Sequence, residues 1–162
     1  MYGIFAPRHL TSMALGLTLV LMGCGGGDAP SGDSSDRADG RSAPATLTDF
    51  QLAHGIGPIT TEVELGELDA ERAERGKELY QFNCEACHFL EDRFVGPPLG
   101  DVLERRTGTY VMNQILNPEE MARQHPEAQK LLTEYPLVMP FQNITEDEAR
   151  AIVEYLRIAK EQ

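Results

Sequence analysis

The chain has 162 residues, of which 41% are hydrophobic and 25% are charged, enough for one ordinary soluble domain with shorter segments at its ends. Its formal net charge of −12 at pH 7 disfavours binding to nucleic acid. With only 3 cysteines, no disulfide framework is available unless Cys84 pairs with Cys87 or Cys24 pairs between molecules.

Residues 1–23 have the three parts of an export signal. A basic start around Arg8 precedes an apolar run over 10–22, which ends at the small residue Gly23. The run is shorter than the roughly 20 residues of a comfortable membrane span. We therefore interpret 1–23 as a signal peptide and expect the protein to be exported to the bacterial periplasm or the outer cell face.

Cys24 ends the segment Leu21-Met22-Gly23-Cys24, which resembles the lipobox of bacterial lipoproteins. The resemblance implies that a peptidase cuts before Cys24 and that this cysteine carries lipid. Several acyl chains on one N-terminus would anchor the protein to a membrane without crossing it. The alternative is a free thiol in an uncleaved signal anchor.

Two segments lead from Cys24 to the domain. Residues 24–46 are mostly Gly, Ser, Asp, Ala and Pro, so we predict a lipidated flexible linker that cannot fold alone. Residues 47–68 are predicted to form an irregular arm packed on the domain, because apolar residues alternate with turn formers such as Gly55-Ile56-Gly57-Pro58. The isolated His54 in this arm is interpreted as a surface or structural residue.

Residues 69–162 show helical patterns and no alternating strand pattern, so we predict an all-α domain. Asp69 can cap a first helix that extends to about Phe82. Gly76 in the middle of that helix costs about 1 kcal/mol relative to alanine, which indicates a close crossing by another helix. The expected partner is the last helix of the chain.

Three further helices are predicted after residue 108. Two cover 110–116 and 119–135, with the second interrupted near His125-Pro126, since proline cannot continue a helix hydrogen-bond pattern. The last begins at the capping-box pattern Thr145-Glu146-Asp147-Glu148.

The motif with a chemical signature is Cys84-Glu85-Ala86-Cys87-His88, directly after the first predicted helix. Two cysteines at this spacing lie on neighbouring positions of one helical turn, where their sulfurs can bond the two vinyl groups of one haem. The adjacent histidine is then carried under the iron as its proximal ligand. We therefore predict one covalent haem c.

Two other kinds of site share part of this motif. A thioredoxin-like dithiol also uses two cysteines at this spacing, but it follows a strand in an α/β pattern that this chain lacks. A zinc site needs four ligands, and Cys84, Cys87 and His88 leave one place that only the distant His54 or His125 could fill.

From 69 to about 159 the chain is similar to class I monohaem cytochrome c. The resemblance is carried by an ordered series: a helix, the haem motif, Gly96-Pro97-Pro98-Leu99, Arg105-Arg106-Thr107-Gly108, Met139-Pro140 and a terminal helix with Tyr155. It implies a helical domain wrapped around one haem.

The resemblance also implies roles for single residues. The Pro97 carbonyl is expected to accept the Nδ1 proton of His88, which leaves Nε2 free for iron. Leu99 and Tyr80 are expected to pack on the haem.

Arg105 matches the family arginine that lies near a haem propionate, where a guanidinium can pair with a carboxylate. The adjacent Arg106 is the alternative for this role.

Met139 is the predicted sixth ligand of the iron. It lies in a proline-bounded loop just before the last helix, from which a thioether can reach the iron on the side opposite His88. Met112 and Met121 fall within helical patterns and are interpreted as core or surface residues.

With both axial positions filled, substrate chemistry at the iron is disfavoured. We therefore expect an electron carrier and not an enzyme, with redox-protein donors and acceptors, a membrane contact through Cys24 and no small-molecule substrate. The arm and lipobox together are similar to lipid-anchored cytochromes that accompany nitrous-oxide reductase in some bacteria. The main alternatives are a five-coordinate haem enzyme or gas sensor for peroxide, NO or CO, and a thiol-disulfide oxidoreductase.

Overall fold

The computed structural model describes residues 46–161, so the predicted signal peptide, Cys24 and nearly all of the linker lie outside the described residues. The described part is helical, with no strand, which confirms the all-α prediction. None of its helices combines the length and the apolar character that a membrane span requires. The elements are α1 (Asp49–His54), α2 (Ala70–Asn83), α3 (Val102–Arg105), α4 (Gly108–Leu116), α5 (Pro118–Gln124), α6 (Pro126–Glu134), α7 (Glu146–Leu156) and a final 3-10 turn (Ala159–Glu161).

The predicted starts of α2 and α7 are confirmed by their caps. The Asp69 carboxylate accepts a hydrogen bond from the Arg72 amide, 2.9 Å away. At α7, the Thr145 hydroxyl accepts from the Glu148 amide, while the Glu148 carboxylate accepts from the Thr145 amide at 2.9 Å. Each contact satisfies a backbone N–H that has no partner inside the helix.

Helices α2 and α7 cross closely at Gly76, as predicted. A Cβ at Gly76 would lie only 1.9 Å from the carbonyl oxygen of Ala151. Ala73 on α2 and Ala149 on α7 are also buried, so small residues on both helices allow the two backbones to approach. Any side chain at Gly76 would force the helices apart.

Helix α4 lies between two apolar clusters. One cluster joins α4 to α2 and α7; the other joins α4 to the arm, α5 and α6. The predicted break between α5 and α6 is confirmed at His125, whose Nδ1 accepts from the Glu127 amide at 3.2 Å. Its Nε2–H therefore donates to the Gln51 carbonyl in the arm, 3.1 Å away.

The arm is not wholly irregular, which corrects that prediction. It contains the six-residue α1, which begins with a capping box formed by Thr48 and Gln51. The capping pattern Thr-x-x-Gln is present in the sequence, but a helix of fewer than two turns is too short to show a helical periodicity. His54 ends α1 and lies 3.1 Å from the Thr107 hydroxyl, in the structural role predicted for it.

A buried amide, Asn113 of α4, holds the arm in place. The side chain is 0% exposed; its Oδ1 accepts from the Ile59 amide at 3.1 Å, and its Nδ2 donates to the His54 and Ile59 carbonyls, each at 3.0 Å. A Cβ at Gly57 would lie 2.2 Å from the same Oδ1, which explains one glycine of the turn. The arm thus finds hydrogen-bond partners in the domain.

The middle of the arm is bound in the same way. The Ile56 amide donates to the sulfur of Met121 at 3.0 Å, and the Ile56 carbonyl accepts from Asn117 at 3.2 Å. Met121 is therefore a core residue, in agreement with its position in the helical pattern.

A buried ion cluster on α7 binds the end of the arm. Glu154 is 1% exposed and accepts from Arg150 at 2.8 Å and from Arg157 at 2.7 Å. The same two arginines donate to the carbonyls of Leu65 and Gly66, each at 2.9 Å. Because a buried carboxylate is costly without partners, this cluster and the arm depend on each other.

Replacement of Asn113 by alanine should lower the free energy of unfolding by about 3 kcal/mol. Three hydrogen bonds are lost at about 1 kcal/mol each, and the buried Ile59 amide is left without its acceptor. Urea unfolding followed by circular dichroism measures the loss. Gln129→Ala is the control, since this exposed amide makes one bond, to the Arg123 carbonyl; an equal loss for both variants would contradict the role of Asn113.

Candidate haem site

The haem motif forms a tight turn at the end of α2. The Cys84 amide still donates to the Tyr80 carbonyl at 2.8 Å, as in a helix. The amides of Cys87 and His88 both donate to the Cys84 carbonyl at 2.9 Å. Cys84 is buried and Cys87 is half-buried, and the two do not form a disulfide with each other. The turn therefore presents two thiols and one imidazole from five consecutive residues.

The thiols do not have the character of a disulfide catalyst. Burial, and secondarily the neighbouring Cys87, raise the pKa of the Cys84 thiol to about 11. Disulfide exchange requires a thiolate, which is scarce at neutral pH when the pKa is raised. The all-α fold also differs from the α/β setting of thioredoxin-like dithiols. A group of three or more His, Cys, Asp or Glu side chains with metal-binding geometry is absent from residues 46–161.

The His88 ring is oriented by the loop that follows it. Its Nδ1 lies 2.9 Å from the Pro97 carbonyl oxygen, so Nδ1 carries the proton and donates it. Burial lowers the pKa of His88, although the bond to Pro97 acts in the opposite direction. The ring is therefore neutral at pH 7, with a lone pair on Nε2, which is the geometry that the resemblance implies.

Gly96 is required beside this ring. A Cβ at that position would lie 2.3 Å from Cε1 of His88, and the Gly96 amide donates to the Cys87 carbonyl at 2.8 Å. The backbone at Gly96 therefore packs against the ring and closes the turn at the same time.

The two cysteines, His88, Leu99 and Met139 line one cavity. Its walls are mainly apolar and come from the loop after His88 and from α3 to α7; they include Val111, Ile115, Leu131, Leu132, Ile152 and Leu156. Such walls suit a large, flat and mostly apolar group.

Met139 is placed in this cavity by the loop between α6 and α7, residues 135–145. Nε2 of Gln114 on α4 donates toward its sulfur across 4.0 Å. Met112 and Met121 are fully buried elsewhere and do not line the cavity. Of these three methionines, Met139 alone lines the cavity together with His88, and its ligation of iron stays a prediction.

Tyr80 is not among the residues that line the cavity, so the expectation that it packs on the haem stays a prediction. Its hydroxyl donates to the His88 carbonyl at 2.5 Å, and its ring lies 5.3 Å from the ring of Tyr155 on α7. The α2–α7 crossing turns Tyr80 toward α7. The side chain therefore supports the backbone that carries His88.

The two neighbouring arginines have different partners. Arg105 donates to the Pro98 carbonyl at 3.1 Å and to Asp101 at 2.6 Å. Arg106 pairs with Glu127, and its guanidinium carbon lies 5.3 Å from the centre of the Tyr110 ring. Both arginines line the cavity, so the expected pairing of Arg105 with a propionate stays a prediction.

Another arginine, outside the cavity, joins the two loops that carry His88 and Met139. Arg93 lies in the loop after His88, yet it donates to the Glu134 carbonyl at the end of α6. Its guanidinium carbon also lies 4.3 Å from the ring centre of Tyr135. The loop that orients His88 and the loop that carries Met139 are thereby held together.

One face of α4 contributes to the site although no sequence pattern predicted it. Tyr110, Val111, Gln114 and Ile115 all line the cavity, at helical spacings of one, three and four residues. The helical spacing of these residues is visible in the sequence. The sequence does not show which face of α4 packs toward the cavity, because that depends on tertiary contacts.

The residues present fit a covalently bound haem c. Two thiols stand one turn apart, the adjacent imidazole has its Nε2 lone pair available, and a thioether lines the same apolar cavity. The Tyr110 hydroxyl, which is buried and has no close hydrogen-bond acceptor or donor within residues 46–161, lines the cavity as well.

Gly96→Ala should reduce the fraction of protein that carries haem severalfold, because the new Cβ displaces the His88 ring from its hydrogen bond with Pro97. Visible absorbance relative to protein concentration measures the haem content. Glu85→Ala, at an exposed position inside the motif, is the control and should load normally. Equal loading of the two variants would show that the ring tolerates the added methyl group.

Comparisons with known proteins agree with the assignment of this cavity as a haem site. The chain matches the sequence profile of the Cytochrome c family over residues 73–160. The structure of cytochrome c from Rhodothermus marinus is 42% identical, has a TM-score of 0.65, and matches 69% of this chain and 97% of its own. An engineered form of that cytochrome is 41% identical, with a TM-score of 0.65 and coverage of 70% and 98%.

A cytochrome c-553-like protein of Synechocystis sp. is 33% identical over 63 residues. That match covers 31% of this chain, and the chain spans 60% of the length of the Synechocystis protein. The profile match includes the whole haem motif and Met139 and extends over more than half of the chain. The chain therefore belongs to the Cytochrome c family, which implies one covalently bound haem c with its iron.

Proposed function

We propose that the protein is an electron carrier that moves single electrons in a respiratory chain through a haem c ligated by His88 and Met139. A haem iron held between an imidazole and a thioether supplies one-electron exchange between Fe(III) and Fe(II). The observation that carries the proposal is that His88 and Met139 line the same apolar cavity.

The residues around the cavity suit this function. The Pro97 carbonyl holds the His88 ring in one orientation, and Gln114 donates toward the Met139 sulfur. Apolar walls such as Ile152 and Leu156 exclude water and disfavour the more highly charged oxidised state. These contacts would hold His88 and Met139 in place toward a bound haem and would favour a raised reduction potential.

A docking face for redox partners lies at the edge of the cavity. Val95 and Leu137 line the cavity and yet are 38% and 60% exposed. An apolar contact of this kind suits brief encounters through a small interface. The acidic chain, with its formal charge of −12, would be steered toward a basic partner surface, and added salt would weaken that attraction.

We also propose a specific setting for the carrier. The terminal acceptor would be a reductase such as nitrous-oxide reductase, on the basis of the similarity of the arm and lipobox to small cytochromes that accompany that enzyme. The Gly55-Ile56-Gly57-Pro58 turn that carries part of this similarity packs on α4 and α5 through Asn113 and Met121. Electron delivery from the purified protein to that class of reductase tests this setting.

The alternative is a five-coordinate haem enzyme or gas sensor, in which the position opposite His88 is open. The presence of Met139 in the cavity favours the carrier. Rapid, stoichiometric binding of CO by the ferrous wild-type protein at neutral pH would establish the alternative and overturn the carrier proposal.

Met139→Ala should abolish the sulfur-to-iron charge-transfer band and lower the reduction potential strongly, because the thioether ligand that favours Fe(II) is removed. The visible spectrum and a redox titration measure both effects. Met112→Leu is the matched control, since this methionine is buried away from the cavity. An unchanged spectrum in Met139→Ala would mean that another residue is the sixth ligand.

We further propose that the mature protein is lipid-anchored through Cys24 and exported, on the basis of the lipobox-like sequence and the signal pattern before it. Cys24→Ser should move the protein from the membrane fraction to the soluble fraction of cells. Ser31→Ala, in the same linker, should leave it in the membrane fraction. Retention of both variants in the membrane would contradict lipidation at Cys24.

A further inference from the structure

The backbone carbonyl of His88 has a different kind of partner from its neighbours. The two flanking carbonyls, of Cys87 and Phe89, accept from backbone amides in the segment 96–99, at 2.8 and 3.0 Å. The His88 carbonyl accepts instead from a side chain, the hydroxyl of Tyr80 on α2, at 2.5 Å. The loop therefore pairs with the residues on either side of His88, while α2 satisfies the carbonyl of His88 itself.

Tyr80 also binds the start of the haem motif. Its backbone carbonyl accepts from the Cys84 amide at 2.8 Å and from the Glu85 amide at 3.0 Å. One residue of α2 therefore contacts both ends of the five-residue motif, Cys84 through its carbonyl and His88 through its hydroxyl. The separation of the first thiol and the imidazole is thus restrained by a single residue.

Tyr80 is itself held firmly. It is 2% exposed, its ring lies 5.3 Å from the ring of Tyr155 on α7, and the close helix contact at Gly76 lies one turn before it. Burial, and secondarily the nearby Cys84, raise the pKa of the Tyr80 hydroxyl. The hydroxyl is therefore protonated at neutral pH, and it is a donor in a fixed place.

His88 is consequently anchored at two points. Its ring donates from Nδ1 to the Pro97 carbonyl at 2.9 Å, and its backbone carbonyl accepts from Tyr80. The bond at Nδ1 alone orients the ring but lets it follow any movement of its own backbone. With the carbonyl held as well, two hydrogen bonds fix where the Nε2 lone pair lies in the cavity.

We propose that Tyr80 is a positioning residue for the haem iron, which acts through the backbone of His88 and fixes the place of its Nε2 lone pair. The Tyr80 hydroxyl also occupies a carbonyl that would otherwise need water as its partner. Water drawn to this site would stabilise Fe(III), because the potential of a haem depends on how well its surroundings exclude solvent. The inference rests on the ligation of iron by His88 in the proposed function.

The variant Tyr80→Phe tests this role, since it keeps the buried ring and removes only the hydroxyl. In haem-loaded protein we expect a lower reduction potential and altered g values in the electron paramagnetic resonance spectrum of the ferric form. Amide hydrogen exchange at Cys87 and His88 in the full-length protein should be about five- to tenfold faster, the factor expected for the loss of one hydrogen bond.

Tyr155→Phe is the matched control, because it removes a hydroxyl from the other ring of the buried pair and leaves the bond from Tyr80 to His88 intact. It should keep the wild-type potential, g values and amide exchange. Equal changes in the two variants would show a general loosening of the α2–α7 contact and would overturn the positioning role.

Wild-type values of all three quantities in loaded Tyr80→Phe would overturn it as well. A wild-type protein whose haem iron is not bound by His88 would instead contradict the proposed function. In that case faster amide exchange at Cys87 and His88 in Tyr80→Phe would still support the restraint of the motif by Tyr80.

Discussion

The close backbone contact between Gly76 of α2 and Ala151 of α7 is the constraint on which the site depends. It brings the two helices together at a separation that no side chain at Gly76 would permit. Helix α2 then ends directly at Cys84, while Ile152 on α7 forms part of the cavity wall. The haem motif and the wall that faces it are therefore positioned by one helix crossing.

Much of this arrangement was predictable from local signals. Capping residues such as Asp69 and Thr145 act on the amides of their own helix, so they were visible in a few consecutive residues. The haem motif was predictable for the same reason, since it lies within five consecutive residues. The direction in which Tyr80 points, and the partners of Arg105, depend on how helices pack, which no short pattern encodes. Helix α1 escaped prediction because it has only six residues.

The arm is the part of the chain whose role the sequence did not suggest. Its structured residues precede the family match at residue 73 and contribute no side chain to the cavity wall of the site. They satisfy buried polar groups of α4 and α7 instead, through Asn113 and through the arginines that surround Glu154. The arm therefore stabilises the helices whose other faces line the cavity.

The bridge from Arg93 to Tyr135 and the Glu134 carbonyl has a consequence for the speed of electron exchange. The loops that carry His88 and Met139 are joined outside the cavity by Arg93, which restrains the separation of the two loops. A carrier that changes shape little between oxidation states has a low reorganisation energy. In the proposed carrier with His88 and Met139 as ligands, one surface arginine would thereby lower the barrier for each electron that enters or leaves.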